Sequence, residues 1–226
     1  MQLAIDTSTD MASLALVQEG EVLAELTWHC GQNHTVELLP HLAYLLDKTG
    51  VSLQSTGCVI VARGPGSFNG LRVGVSTAKG LAFSLGVPII GISTLEVAAY
   101  QHAETGLPIC PIFNAGREEI ATAMYQQKRN KWCQLANEHI TTVESLCSQI
   151  NTKTVFCGEF VPLVAMQLRK QLKQRAIIPS SPARLRHAGF LAELGQQRLK
   201  AGDNDNPDTL QPIYLRRPMI TKPKHR

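Results

Sequence analysis

The sequence has few aromatic residues and lacks long apolar runs. Phe, Trp and Tyr make up 5% of the 226 residues, and no apolar stretch reaches the about eighteen residues that a membrane-spanning helix needs. The segment from Met1 to Asp6 has neither the basic nor the apolar region of a secretory signal peptide. We therefore expect a cytoplasmic protein that does not enter a membrane. With 44% hydrophobic residues, the chain can form one domain or two small ones.

Paired cysteine motifs are absent as well. No Cys-x-x-Cys occurs, so the usual zinc and redox patterns are missing. Several of the cysteines lie in apolar segments, which predicts reduced, buried thiols instead of disulfides. The six cysteines are Cys30, Cys58, Cys110, Cys133, Cys147 and Cys157.

The glycine-rich segment at residues 63–74 lacks the known nucleotide-binding fingerprints. Neither Gly-Lys-Ser nor Gly-Lys-Thr follows it, and its glycine spacing is not that of the dinucleotide motif. It separates an apolar run at 58–62, typical of a buried strand, from a helical pattern at 71–85 that ends at Gly86. Two interpretations stay open. The glycines permit a tightly packed turn, or the free N–H groups of the helix N-terminus bind an anion.

Small residues recur at every fourth position of the helix after this turn. Gly70, Gly74, Ala78 and Ala82 form one stripe on which another backbone can approach closely. The stripe can pack inside the chain or against a helix of another subunit, and periodicity alone does not choose between them.

The first half of the chain predicts the element order βββαβαβα. A Glu19-Gly20 hairpin joins the second and third strands. Leucines at 38, 39, 42, 45 and 46 line one face of the first helix, in which Pro40 predicts a local kink. The strands are expected at residues 2–5, 12–17, 21–27, 58–62 and 87–92, and the helices at 35–48, at 71–85 and from 93 or 94.

A second, shorter run begins near Pro108. We expect its strands at 109–114, 119–126 and 154–157, and helices after the capping box at 141–144 and from 161. A last long helix is predicted from Ser181-Pro182 to Gly202, because a cap residue precedes a proline at the first helical position.

This layout is typical of the ribonuclease-H-like unit of sugar kinases, actin and Hsp70, the ASKHA class. We predict an α/β fold with two related βββαβα subdomains, the second of them shortened. The first subdomain is expected at 1–101, with the helix at 181–201 packing back on it. The smaller second subdomain is expected at 102–180, and an extended basic tail at 202–226.

Four segments carry a resemblance to a known family. They are Ala4-Ile-Asp-Thr-Ser-Thr9, Gly64-Pro-Gly-Ser-Phe-Asn-Gly-Leu-Arg-Val-Gly74, Gly86-Val-Pro-Ile-Ile-Gly-Ile-Ser-Thr-Leu95 and Pro212-Ile-Tyr-Leu-Arg216. Together they span nearly the whole chain, and they resemble the motifs of the bacterial TsaB family, also called YeaZ. The glycine segment is the most specific of them.

The resemblance implies a non-catalytic scaffold and dimerisation subunit. Its partner would be the paralogue TsaD, which makes N6-threonylcarbamoyladenosine beside the anticodon of tRNAs that read ANN codons, and TsaE, an ATPase, would join them. The tRNA is then the substrate of the complex, and the isolated chain can form a homodimer. We expect no catalytic residue, no metal and no cofactor in this chain.

Two groups of site residues follow from these patterns. The partner interface is predicted on the first helix and the small-residue helix, which would build a four-helix core with the partner. Its residues are His34, Leu38, His41, Leu42, Leu45, Gly70, Arg72, Val73, Gly74, Thr77, Ala78 and Leu81. A vestigial nucleotide cleft is predicted at Asp6, Thr7, Ser8, Gly64, Gly66 and Ser67.

Asp6 has two interpretations. In phosphotransferases of this class an aspartate after the first strand helps to hold the metal and the phosphates of ATP. Here Asp6-Thr7-Ser8-Thr9 has no glycine for close phosphate approach, and Asp6 can instead cap its own turn. We favour the structural role or a vestigial cleft.

Two other functional classes are weighed. A small-molecule kinase of this fold would need a second phosphate loop, which residues 108–180 do not show. A metallopeptidase would need the His-x-x-x-His pair of the paralogue, and alignment through Gly86-Val-Pro88 puts Thr94 and Ala98 there. His34 and His41 are roughly 10 Å apart along a helix, too far to share one metal ion, and are predicted at the surface or interface.

Departures from the family pattern occur at two places. Asn69 stands where a threonine is usual, and the segment 114–119 differs from the usual Asp-Ala-Arg-x-Gly-Glu. The basic residues Arg216, Arg217, Lys222, Lys224 and Arg226 have no acidic residue among them. Such a tail can neutralise nucleic-acid phosphates or be a solvated terminus.

Overall fold

The computed structural model describes residues 1–216 of the chain. The first half has the predicted order βββαβαβα. Its elements are β1 (Gln2–Asp6), β2 (Met11–Gln18), β3 (Glu21–His29), α1 (His34–Thr49), β4 (Cys58–Ala62), α2 (Phe68–Leu85), β5 (Ile89–Ile92) and α3 (Thr94–Tyr100). They include one sheet with the order β3-β2-β1-β4-β5. β1, β2 and β3 pair antiparallel, and β1, β4 and β5 pair parallel.

The second half repeats this design. Its elements are β6 (Ile109–Gly116), β7 (Glu119–Lys128), β8 (Lys131–Thr141), α4 (Val143–Gln149), β9 (Thr154–Cys157), α5 (Val161–Leu172), β10 (Ala176–Ile177) and α6 (Ala188–Lys200). Read from β8, the second sheet has the order β8-β7-β6-β9-β10. This order matches the first sheet strand by strand, with β6 in the place of β1. The fold is therefore two related βββαβα units, the second with a last strand of only two residues.

Local sequence signals account for most helix ends. Ser93 and Thr142 cap α3 and α4 through their hydroxyl oxygens, and Gly50 and Gly86 end α1 and α2 in the left-handed conformation. α2 begins at Phe68, three residues earlier than predicted, because Ser67 accepts a hydrogen bond from the Gly70 amide. α1 continues through the position of Pro40.

Two layers of helix cover the first sheet. α1 and α2 pack on one face, where Leu38, Leu42 and Leu45 are buried as the leucine pattern predicts. Leu39 is the exception, since its side chain is 54% exposed. α6 covers the other face and packs against Ala4, Ala15 and Ile60.

Two predictions for the second half are wrong. β8 was not expected as a strand. The last helix begins at Ala188 instead of Ser181-Pro182, because residues 182–184 form a single 3-10 turn and the helix starts after His187. α6 packs on the first sheet, but the subdomain boundaries themselves stay a prediction, and the tail beyond residue 216 lies outside the described residues.

The two units are joined by α3 and by the segment after α6. Leu95 and Ala98 of α3 pack against Ile109 and Phe113 of the second sheet. All six cysteines are free, as expected, and five of them are buried. Among the helices of residues 1–216, none combines the length and apolar character that crossing a bilayer requires.

Candidate functional site

The glycine-rich segment packs directly against the turn that follows β1. An added Cβ would lie 2.0 Å from the Ser8 carbonyl oxygen at Gly66, and 2.2 Å from atoms of Thr7 at Gly70 and at Gly74. The Thr7 hydroxyl donates to the Gly70 carbonyl oxygen at 2.8 Å, and the Ser67 amide donates to the Ser8 carbonyl oxygen at 2.7 Å. The glycines therefore permit close contact within the chain, the first of the two interpretations that the sequence leaves open.

Asp6 lies at the centre of this contact and uses both carboxylate oxygens. Oδ1 accepts hydrogen bonds from the Ser8 amide at 2.9 Å and the Ser8 hydroxyl at 2.5 Å, which is the turn-capping role that the sequence predicts. Oδ2 accepts from Nε of Arg186 at 2.8 Å, and both side chains are almost fully buried.

Arg186 bridges the two sheets from the segment before α6. Its guanidinium forms an ion pair with Glu159 and donates to the Thr9 hydroxyl at 2.9 Å and the Met11 carbonyl oxygen at 3.3 Å. Burial alone would lower the pKa of Arg186, but Asp6 and Glu159 raise it above its ordinary value. The sequence gives no local signal for Arg186, because its partner Asp6 is 180 positions away.

The cleft beside this network is a cavity of about 330 Å³, lined by Asp10, Gly66, Ser67, Phe113 and Glu159 among others. Of the residues predicted as a nucleotide cleft, only Gly66 and Ser67 line it. Asp6, Thr7 and Ser8 are buried, and the Ile213 main chain lies over Gly64, where an added Cβ would be 2.8 Å from the Ile213 carbonyl oxygen.

The cleft does not fit the phosphates and metal of a nucleotide. The carboxylate that would hold the metal is ion-paired with Arg186, and the backbone of the glycine segment is packed against Thr7 and Ser8 instead of forming an open cradle. This arrangement disfavours the kinase alternative.

The positions of the paralogue's metal ligands have structural roles. The Thr94 hydroxyl accepts a hydrogen bond from the Gly64 amide at 3.1 Å, and Ala98 packs against the second sheet. His34 is buried and Nε2 lies 2.8 Å from the Thr9 carbonyl oxygen, so its prediction as a surface residue is wrong. His41 packs edge-on against Trp28. Within residues 1–216, no group of three His, Cys, Asp or Glu side chains is placed to hold a metal ion.

The predicted interface residues fall into two groups. Seven are buried inside the chain, where the small-residue stripe packs against the turn after β1, and their part in an interface stays a prediction. These are His34, Leu38, Leu42, Leu45, Gly70, Gly74 and Ala78. The other five are exposed or half-buried, and their role in an interface stays a prediction. These are His41, Arg72, Val73, Thr77 and Leu81.

A different face of α1 and α2 is apolar and open. Val36, Leu39 and Tyr44 of α1 are 69%, 54% and 51% exposed, and Phe83 of α2 is 85% exposed. On the same outward side of α2, nothing lies within 4 Å of an added Cβ at Gly80. α1 and α2 pack side by side on the same face of the first sheet, and exposed apolar side chains on such a layer can contribute to a protein–protein contact. The sequence places the interface on the same two helices but does not single out these exposed residues, and the interface itself stays a prediction.

The segment 114–119, which departs from the family pattern, forms a turn and contacts Arg216. Asn114 Oδ1 accepts from the Gly116 amide at 2.8 Å and shapes the turn between β6 and β7. Glu119 forms an ion pair with Arg216, which also donates to the Ala115 carbonyl oxygen. Of the basic tail, Arg217, Lys222, Lys224 and Arg226 lie outside the described residues.

Two sheets of the same order, each with its helices, define an actin- and Hsp70-like fold of the ASKHA class. A solved structure of this fold is the activator of 2-hydroxyisocaproyl-CoA dehydratase from Clostridium difficile with bound ADPNP. It superimposes with a TM-score of 0.52 at 13% identity, over 91% of this chain and 99% of that one, a likeness that shows the fold alone.

Closer relatives identify the family. Residues 27–220 match the family model described as TsaD: tRNA N6-adenosine threonylcarbamoyltransferase. The tRNA threonylcarbamoyladenosine biosynthesis protein TsaB of Bacillus subtilis is 32% identical over 217 residues, covering 95% of this chain and 93% of that protein. The structure of YeaZ from Pseudomonas aeruginosa superimposes with a TM-score of 0.83 at 25% identity, over 95% and 99% of the two chains. The chain belongs to the TsaB (YeaZ) family.

Proposed function

We propose that this protein is a non-catalytic scaffold subunit that pairs with a TsaD-type transferase in the formation of N6-threonylcarbamoyladenosine in tRNA. Family membership supports the pathway, since the relatives carry names from tRNA threonylcarbamoyladenosine biosynthesis. In this proposal the tRNA is a substrate of the complex and TsaE is a third component. The complex acts in the cytoplasm.

The open apolar face of α1 and α2 carries the proposal of a partner. Val36, Leu39, Tyr44 and Phe83 cost free energy while they face water, and a partner helix layer would bury them. The open space at Gly80 permits a helix to approach α2 closely. In the absence of TsaD, the same face is available to a second copy of this chain.

The cleft between the sheets supports the non-catalytic part. A catalytic carboxylate must reach a substrate or a metal, whereas both oxygens of Asp6 are used within the chain and the side chain is 1% exposed. The proposed role therefore assigns the chemistry to TsaD and the positioning to this subunit.

The test is a pull-down with TsaD from the same organism, using the tagged full chain. Leu39→Glu and Phe83→Glu each place a charge in the proposed contact, and we expect TsaD binding to weaken at least about tenfold. Leu163→Glu is the matched control, because Leu163 is a 76% exposed leucine on α5, outside the proposed contact. Circular dichroism checks that all three variants are folded.

The outcomes separate the parts of the proposal. If TsaD does not bind the unaltered chain, the scaffold role is wrong. If TsaD binds and only Leu163→Glu weakens it, the scaffold role stands and its location on α1 and α2 is wrong. Threonylcarbamoyladenosine formation in the reconstituted system should decrease in parallel with binding.

A further inference from the structure

A second cavity, separate from the cleft at Asp6, lies where the parallel strands of the first sheet end. It has a volume of about 340 Å³ and is bounded by Arg63 after β4, Ser93 after β5, Tyr125 of β7 and Glu138 of β8. Ligands of open α/β sheets bind at the carboxyl ends of parallel strands. The cavity is lined by charged side chains of both signs, which have no part in the proposed function.

One wall of this cavity is acidic. The Ser93 hydroxyl donates to Glu138, and Trp132 Nε1 donates to Glu96 Oε1 at 3.1 Å. Burial raises the pKa of Glu96 and of Glu138, and this effect outweighs the hydrogen bonds and positive charges nearby that favour the charged forms. Two partly hidden carboxyl groups thus face one space, and each has one oxygen that these two donors do not use.

The other wall carries Arg63, whose charge lowers the pKa of Glu138 across the cavity. Within residues 1–216 the Arg63 side chain makes no hydrogen bond or ion pair, and its Nε is buried and unsatisfied. The neighbouring Arg198, by contrast, pairs with Asp203 at 2.7 Å and Asp205 at 3.2 Å. A buried donor without an acceptor is costly, so a bound acceptor at the Arg63 Nε would be favourable.

The backbone makes room for this arginine. An added Cβ at Gly91 would lie 2.8 Å from Cδ of Arg63 and 2.7 Å from Leu210. The Ile213 amide donates to the Arg63 carbonyl oxygen at 2.6 Å, so the main chain at this position is fixed as well. Arg63 is therefore held across β5 by its stem while its charged end makes no hydrogen bond or ion pair within residues 1–216.

We propose that this cavity binds a small zwitterion, such as a free α-amino acid, with its carboxylate on Arg63 and its ammonium group on Glu96 and Glu138. A planar guanidinium binds a carboxylate through two parallel hydrogen bonds, and an ammonium group offers three donors to the acidic wall. Cavities of about 300 Å³ and above hold small molecules, so the volume suffices. Binding would supply hydrogen-bond partners to the charged groups of both signs that line the cavity.

The test uses the full chain without a partner and probes it with the common free L-amino acids at millimolar concentration, by isothermal titration and by NMR shifts. We expect at least one to bind, whereas acetate and methylamine, which carry one charge each, bind at least about tenfold more weakly. Arg63→Gln and Glu138→Gln should each weaken binding at least about tenfold. Arg169→Gln, at an exposed arginine of α5, should not.

Two results would overturn the proposal. One is that no amino acid binds the unaltered chain at millimolar concentration, which makes the cluster a structural network only. The other is binding that neither Arg63→Gln nor Glu138→Gln weakens. If Arg63→Gln does not fold, Glu138→Gln alone decides, because Glu138 is on the opposite wall. The result is independent of TsaD binding, which involves another face.

Discussion

Arg186 and Arg63 both lie where the two sheets meet, but their surroundings differ in one respect. Arg186 is 2% exposed and has two carboxylates, a hydroxyl and a carbonyl oxygen around its guanidinium. The Arg63 side chain makes no hydrogen bond or ion pair within residues 1–216, although its charge acts on Glu138 across the cavity. Removal of one partner from such a buried ion-pair network as that of Arg186 leaves an uncompensated charge and destabilises the fold. A charge without hydrogen-bond partners adds little to stability and is available to a ligand.

Replacement of each arginine by methionine should give the largest contrast. Arg186→Met leaves Asp6 buried without its counter-charge, and we expect the free energy of unfolding to decrease by about 3–5 kcal/mol. Arg63→Met removes no ion pair and should change it by less than about 1 kcal/mol. Urea denaturation followed by circular dichroism measures both.

A double variant is the control for this contrast. Asp6→Asn together with Arg186→Met removes both charges, so part of the loss should be recovered relative to Arg186→Met alone. Equal losses for Arg186→Met and Arg63→Met would show that the two arginines do not differ in the way described.

Two glycines of α2 allow a similar comparison between a packed and an open position. Gly74→Ala places a Cβ 2.2 Å from the Thr7 hydroxyl, which donates to Gly70, so we expect a loss of about 1–3 kcal/mol. Gly80→Ala on the same helix meets open space and should gain up to about 1 kcal/mol from helix propensity. Urea midpoints of the two variants give the answer. Losses of similar size at both positions would contradict the packing of α2 on Thr7.

The smallest effect is expected in the cavity of Arg63 and depends on pH. Burial raises the pKa of Glu138 above its ordinary value of 4.5. Between the ordinary pKa and the raised pKa of Glu138, the folded state binds more protons than the unfolded state. The free energy of unfolding therefore falls as the pH rises from the ordinary to the raised pKa. Glu138→Gln lacks this loss, so its stability relative to the unaltered chain should increase as the pH rises above 4.5.

Glu21→Gln, at an exposed position of β3, makes the same charge change outside the cavity. Its stability relative to the unaltered chain should not follow this trend. A difference between Glu138→Gln and the unaltered chain that stays constant with pH would mean that Glu138 is not buried as described.

The sequence predicted the architecture well because the signals for it are local. The Gly50 and Gly86 stops and the apolar run at 58–62 depend only on neighbouring residues. β8 was missed since it is an edge strand without a fully buried side chain, which gives no clear alternation of apolar and polar residues. Ser181-Pro182 has the signature of a helix start but begins only a 3-10 turn.

The site could be predicted only in part. The capping role of Asp6 follows from its own turn, while the role of Arg186 depends on a contact 180 positions away. The repeat of Gly70, Gly74 and Ala78 shows that one face of α2 is small, but not what fills the space beside it. Thr7 fills it at two of these positions. Whether the Arg63 side chain has a hydrogen-bond partner depends on the tertiary structure, so no sequence pattern predicts it.

The position of α6 has a consequence for how the protein is made. Leu191 and Leu194 cover the face of the first sheet that carries Ala4 and Ile60, yet the ribosome adds them more than a hundred residues later. At about 5–20 residues per second, this face of the nascent sheet stays open to water for roughly 7–30 seconds. During that interval the chain depends on chaperones or on fast translation to avoid aggregation. Slower translation between β4 and α6 should therefore lower the yield of folded protein without any change in sequence.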